Sequence, residues 1–454
     1  MNANHIRDNL AWPGELPPHW ECKKAGSLFT ERKSKVSDKD YPPLSVAKIG
    51  VVPQLETAVK TDAGDNRKLV CAGDFVINSR SDRKGSCGVS EFDGSVSLIN
   101  IVLTPRNQWN GRYVHYLLRS QPFSEEYYRN GKGIVADLWT TRFSEMKSIL
   151  LPVPPRKEQD RIVRFLDWKV SGINKLISVK QKQIKLLKEQ ESRIISDSVL
   201  HGLHSSQMKD SGNRWIGDIP ADWKIIKLGK FCSFQNGISE SGDFFTSGTP
   251  FVGYGDVYRH LELPETVSGA AKANEQQQEV FSVREGDIFF TRTSENIEEV
   301  GMAAVCKHTI EKAIFSGFVI RCRPRTAIVD IDYMKYYLQI PAIRNHFSSM
   351  MNIVIRASLG QNLLKQMPVV VPSKDSQKEI ATYLNAKHSK YADLIDTIQK
   401  EIEVLKELRT RLVADVVIGK IDVRGIEIPE YEFLGEDVDD GNNEIEEETE
   451  EQED

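Results

Sequence analysis

The chain has little of what a catalyst or a membrane protein needs. Its six cysteines (Cys22, Cys71, Cys87, Cys232, Cys306, Cys322) are scattered among 454 residues, with no C-x-x-C pair. That spacing excludes a zinc ribbon and a disulfide framework and suits a reducing cytosol. The nine histidines show no ligand spacing. No G-x-x-x-x-G-K-[ST] phosphate loop, H-E-x-x-H pair or G-x-S-x-G elbow occurs. The N-P-P-[FY] element with which amino-methyltransferases grip a flipped base is missing as well. Glu145 and Lys147, with Asp137 upstream, have a faint nuclease-like spacing that is common by chance. No apolar run reaches membrane-spanning length and the polar N-terminus is no signal peptide, so a soluble, cytoplasmic, non-enzymatic protein without bound metal is expected.

Charge is present but unevenly placed. The formal net charge is −5, yet fifteen of the 65 acidic residues lie in 427–454, a stretch without Lys or Arg. The rest of the chain stands at +10. A basic body points to a polyanionic partner, and the acidic end is expected to be a disordered tail.

The chain is organised around Arg156–Leu200, which opens after Pro154-Pro155 and contains no proline. Leu166, Ile173, Leu187 and Ile194 are spaced in sevens, and Val170, Ile177 and Ile184 form a second row. A helix of this length spans roughly 65 Å. Shifted by 218 residues, the stretch falls on Lys374–Ile418 without a gap and with 16 of 45 positions identical. There Leu384, Tyr391, Ile398, Leu405 and Leu412 make one row, Ile395 and Ile402 lie beside it, and Ser376 with Glu379 suggests a capping box. The matched rows predict that the two helices pack antiparallel as a coiled-coil spacer holding two heads apart.

The heads repeat too. Trp12-Pro-Gly-Glu-Leu-Pro-Pro-His-Trp20 returns as Trp215-Ile-Gly-Asp-Ile-Pro-Ala-Asp-Trp223, Gly73-Asp74 as Gly286-Asp287, and Tyr113-x-x-Tyr-x-Leu118 as Tyr333-x-x-Tyr-x-Leu338. Between these anchors the offset drifts from 203 to 220, so loops of different length interrupt a common framework. Short runs at 74–78, 98–103 and 313–320 read as strands, and short helices are expected near Tyr113 and Tyr333. The predicted order is an N-terminal segment (1–15), a mixed α and β head (16–155), the central helix (156–203), a linker (204–218), a second head (219–373), the distal helix with its end motif (374–425) and the acidic tail (426–454).

Each head offers a charged loop after a strand. The first has Arg67 and Lys68, then Asn78, Arg80, Arg83 and Lys84; the second has Thr291, Arg292 and Thr293, with Arg321 and Arg323 on a nearby strand. Such residues suit base edges and phosphates. Arg80 and Arg292 read as counterparts.

With these motifs in order, the chain resembles the specificity subunit of type I DNA restriction–modification enzymes. The resemblance rests on the twin Trp motifs, the two Gly-Asp elements, Pro154-Pro-Arg-Lys-Glu-Gln159 and the closing Val417-Ile-Gly-Lys-Ile-Asp-Val-Arg424. The opening of the second helix, Ser373-Lys-Asp-Ser-Gln377, departs from the family pattern, and the tail lies outside it. The resemblance implies an α+β chain with two target-recognition domains in tandem pseudo-repeat. Each reads half of a bipartite site on double-stranded DNA. The helices dock two methyltransferase subunits, and restriction subunits join them. S-adenosylmethionine, ATP and Mg are implied for those partners and no cofactor for this chain. The docking residues implied are Leu166, Ile173, Ile177, Ile184, Leu187, Leu384, Tyr391, Ile395, Ile402 and Leu405. Two other readings of the residues stay open: a coiled-coil scaffold with protein-binding heads, and the recognition subunit of a related bifunctional restriction enzyme.

Overall fold

Strands rich in Val, Ile and Phe pair in each head into an antiparallel sheet of four. In the first head the order is Phe29–Glu31, Asn100–Pro105, Phe75–Asn78, Cys87–Val89. In the second it is Cys232–Asn236, Val319–Pro324, Ile288–Thr291, Ala303–Val305. The same order in both shows one plan built twice. The structure is a computed structural model that describes residues 12–54, 64–106, 109–133, 139–204, 206–240, 242–294, 300–350 and 357–433. Asp137 and the end of the acidic tail lie outside the described residues.

The chain divides into two compact units. One runs to Lys182 and resumes at Ile398; the other is Gln183–Thr397. Each unit therefore holds one head, the start of one long helix and the end of the other. The helices are Arg156–His201 and Lys374–Val417. Inside the first unit Asn174 accepts from Arg409 at 2.7 Å and Lys180 pairs with Glu401 at 2.5 Å. Inside the second, His388 meets Glu191 at 2.7 Å. The helical segments within each unit run antiparallel.

The repeated motifs are the fasteners of this arrangement. The buried Tyr113 hydroxyl donates to the Val417 carbonyl (3.1 Å), and the buried Tyr333 hydroxyl donates to that of Val199 (3.1 Å). One turn on, Tyr116 donates to Asp167 (2.8 Å) and Tyr336 to Asn385 (2.9 Å). Each Tyr-x-x-Tyr helix thus grips the end of one long helix and the start of the other. The glutamines that open the long helices are buried and bonded alike. Gln159 donates to Pro154 (2.9 Å) and accepts from the Asn110 N–H (3.0 Å); Gln377 donates to Pro372 (3.0 Å) and accepts from the Asp330 N–H (2.6 Å). The departure at Ser373–Gln377 therefore keeps the buried glutamine and its bonds. Trp20 and Trp223 are buried in the two cores.

Three expectations are corrected. The distal helix is capped by Ser373, whose hydroxyl accepts from the Ser376 N–H at 3.1 Å, so Ser376 lies inside the first turn. The stretch 204–218 is not all linker, since Met208–Asp210 pairs with Asp218–Pro220. The apolar run 313–320 is two strands, Ile314–Phe315 and Val319–Pro324, in different sheets, because Ser316-Gly317-Phe318 turns between them.

Candidate nucleic-acid interface

The Gly-Asp elements build the strand that carries each loop. Gly73 and Gly286 take φ of +92° and +85°, which favours glycine. The following aspartate is buried and closes the turn: Asp74 accepts from the Cys71 N–H (2.9 Å), Asp287 from the Arg284 N–H (2.8 Å). Each buried carboxylate then meets an arginine. Arg32 reaches Asp74 through Nε and Nη2 at 2.7 and 3.1 Å, and Arg323 reaches Asp287 at 2.6 and 2.7 Å. The two arginines come from different places, Arg32 just past the edge strand Phe29–Glu31 and Arg323 within Val319–Pro324. Thr104 holds the register of Arg323 and donates to Asp74 at 2.7 Å, while Gln235 stands where Arg32 stands.

Several residues expected at the interface are therefore structural. Arg323 is bound to Asp287. Arg321 is buried, donates to the Ser282 carbonyl at 2.5 Å and lies over Phe315; burial and the neighbouring Arg323 lower its pKa to about 10. Arg67 is buried against the Ser95 hydroxyl and carbonyl at 3.0 and 3.1 Å. Asn78 is buried and accepts from the Arg80 N–H at 3.0 Å, and buried Thr291 accepts from the Met302 N–H at 2.9 Å. A buried, bonded side chain gives up those bonds before it can meet a base. Lys68 is half-buried, its ammonium on the Asn100 carbonyl at 2.6 Å, and desolvation lowers its pKa. Glu145 caps its own short helix by accepting from the Arg142 N–H at 3.1 Å. Among the described residues no group of three His, Cys, Asp or Glu could hold a metal ion.

What remains at the surface is Arg80, Arg83 and Lys84 in the first head and Arg292 with Thr293 in the second. Arg80 and Arg292 are not counterparts. The Ser79 N–H donates to the Ile99 carbonyl (3.4 Å) as that of Arg292 donates to Phe318 (2.9 Å). Arg80 bridges Thr140, and Thr293 pairs with Ser358. Arg292 thus stands in the register of Ser79 and Arg80 in that of Thr293. One step along an extended chain turns a side chain to the other side.

The helix residues expected to dock partners are used within the chain. Leu166, Ile173, Ile177, Leu384 and Ile402 are buried, and Ile184, Leu187, Tyr391, Ile395 and Leu405 are half-buried. The exposed large apolar residues are others: Leu176, Val179 and Leu186 on the central helix, and Tyr383, Leu394, Val404 and Leu408 on the distal helix. Leu176 and Leu394, and Leu186 and Val404, are equivalent under the 218-residue shift. Among the described residues no helix is long and apolar enough to cross a membrane.

Residues 220–404 match the sequence family described as type I restriction modification DNA specificity domain. Over 427 residues the chain is 22% identical to the type I restriction enzyme MjaVIII specificity subunit of Methanocaldococcus jannaschii, covering 90% of this chain and 95% of that one. It is 22% identical over 446 residues to the putative type I restriction enzyme MjaX specificity subunit of the same organism, covering 90% and 96%. A solved structure from work on complex assembly and conformational transition of the type I R-M system has the same fold, with TM-score 0.63, 16% identity, and 90% and 100% of the two chains covered. The chain is thus similar over nine-tenths of its length to type I restriction enzyme specificity subunits, and the match to the DNA specificity domain family covers nearly all of its second head.

Proposed function

We propose that this chain is the DNA-recognition subunit of a type I restriction–modification complex. It reads a bipartite, asymmetric site on double-stranded DNA and performs no chemistry itself. The observation that carries the reading is one strand order in both heads with different surface side chains after the same strand: Arg80, Arg83 and Lys84 against Arg292 and Thr293. A duplicated frame with unlike reading residues fits two unlike half-sites. Methyltransferase subunits, with S-adenosylmethionine, dock as two copies on the exposed apolar residues of the two helices, because duplicated helices present the same surface twice. Restriction subunits bring ATP and Mg, and the complex works in the cytoplasm.

The test is methylome sequencing of cells carrying the chain with its methyltransferase partner. A split adenine-methylated motif is expected. Arg80→Ala relaxes only one half of that motif and Arg292→Ala only the other, each at a cost of about 1–3 kcal/mol of discrimination. Equal loss at every sequence identifies phosphate contacts instead. A wild-type complex that methylates without sequence preference overturns the reading.

A further inference from the structure

The turn that splits the run 313–320 lies against Arg292 and carries an aromatic ring into solvent. Phe318 is 61% exposed, although Phe315, Val319 and Ile320 beside it are fully buried. The backbone beneath it is tied on every side. Ser316 N–H donates to Val252 (3.0 Å), Gly317 N–H to Ile238 (2.7 Å), and Phe318 N–H to the Ser316 hydroxyl (3.2 Å). Arg292 donates through its backbone N–H to Phe318 (2.9 Å) and through Nη1 to Gly317 (3.3 Å). A Cβ on Gly237 would lie 2.1 Å from the Ser316 carbonyl, and one on Gly317 would lie 2.2 Å from the Ser239 hydroxyl. Turn and neighbouring strand are packed so closely that no other side chain fits between them. The ring is held out by a stiff base and does nothing for the core.

The first head repeats the feature with different residues. Its turn Ser97–Ile99 precedes the equivalent strand, with Leu98 38% exposed and Ile99, in the register of Phe318, half-buried. An exposed apolar residue therefore stands near the same strand end of both heads, offset by one position, beside the half-buried Arg80 and Arg292. An exposed apolar projection beside an arginine suits the major groove, where thymine alone offers a methyl group.

Resting on the DNA-recognition reading, we propose that Phe318 is a specificity-determining residue of the second head. Its ring packs on a thymine methyl next to the base reached by Arg292. The experiment uses the assembled complex with its methyltransferase subunits and duplexes bearing the motif read from the methylome. Each thymine of the second half-site is replaced singly by deoxyuridine, which deletes only the methyl. One such replacement is expected to weaken wild-type binding about fourfold, the worth of one buried methyl-sized group. Phe318→Ala is expected to bind more weakly, to melt as the wild type does, and to be indifferent to that same replacement. Its response to replacements in the other half-site stays that of the wild type. The proposal is overturned if the second half-site contains no thymine. It is equally overturned if no replacement matters, if Phe318→Ala keeps the wild-type sensitivity, or if it loses all sequences alike. Absence of any sequence preference in the wild-type complex overturns the DNA-recognition reading itself.

Discussion

Asp74→Ala and Asp287→Ala each unfold their own head under conditions where the other head stays folded. Both carboxylates are buried, and each holds a forked arginine and the N–H of a tight turn. Removing one partner of a buried pair costs about 3–5 kcal/mol, because the remaining charge is left without compensation. Arg32 and Arg323 are each about a quarter exposed, so water relieves part of this and the lower end is expected. Proteolysis and hydrogen exchange along the whole chain check it, since protection should fall in one head only. The heads also differ in which strand supplies the cation. Arg32→Gln should therefore destabilise the first head, and Arg32→Gln with Thr104→Arg, which copies the second head, should restore most of the loss. Two additive losses would show that the registers are not equivalent.

That exchange explains why the helices were legible in the sequence and the heads only in part. A long helix must keep its phase, so its repeat survives as a gapless match of 16 in 45 positions. A sheet needs only strands in order, and its charges can pass to a neighbouring strand, as between Arg32 and Arg323. Alternation correctly puts Arg321 and Arg323 on one side of a strand. It does not tell that this side faces Asp287 and the Ser282 carbonyl rather than a partner. Gly73-Asp74 and Gly286-Asp287 are visible as a motif, but their work is to close a buried turn. The apolar run containing Phe318 reads as one strand because a Ser-Gly turn is short. Only pairing partners reveal that the ring stands at a bend. The offset of Arg80 from Arg292, by contrast, is legible in the spacing, since Arg80 stands seven residues past Gly73 and Arg292 six past Gly286.

The helix surfaces lead to the largest effect on assembly. Leu176 and Val179, three residues apart, share one face of the central helix in the first unit, and Val404 and Leu408, four apart, share one face of the distal helix there. Leu186 and Leu394 belong to the same helices in the second unit. All six are exposed, with Leu186 at 64% and Val404 at 63%. These half-exposed leucines and valines contribute less to the fold of the isolated chain than the buried Ile177 and Ile402. Covering one such side chain fully is worth about 1.5–3 kcal/mol. Since each is about half covered already, two together set a change of about ten- to a few hundredfold in affinity for a docked subunit. Leu176→Asp with Leu186→Asp is expected to leave melting and helix content unchanged and to remove one methyltransferase copy from the complex. Leu394→Asp with Val404→Asp is expected to remove the other, and all four changes both. Native mass spectrometry of complexes from co-expressed subunits reads the stoichiometry directly. Retention of both copies by the fourfold variant would rule out these faces as the docking surface. Loss of both copies from either double variant would show cooperative docking rather than two independent, repeated sites. By contrast, Ile177→Asp should lower the melting temperature of the chain alone, which separates a seam residue from a docking residue in one measurement.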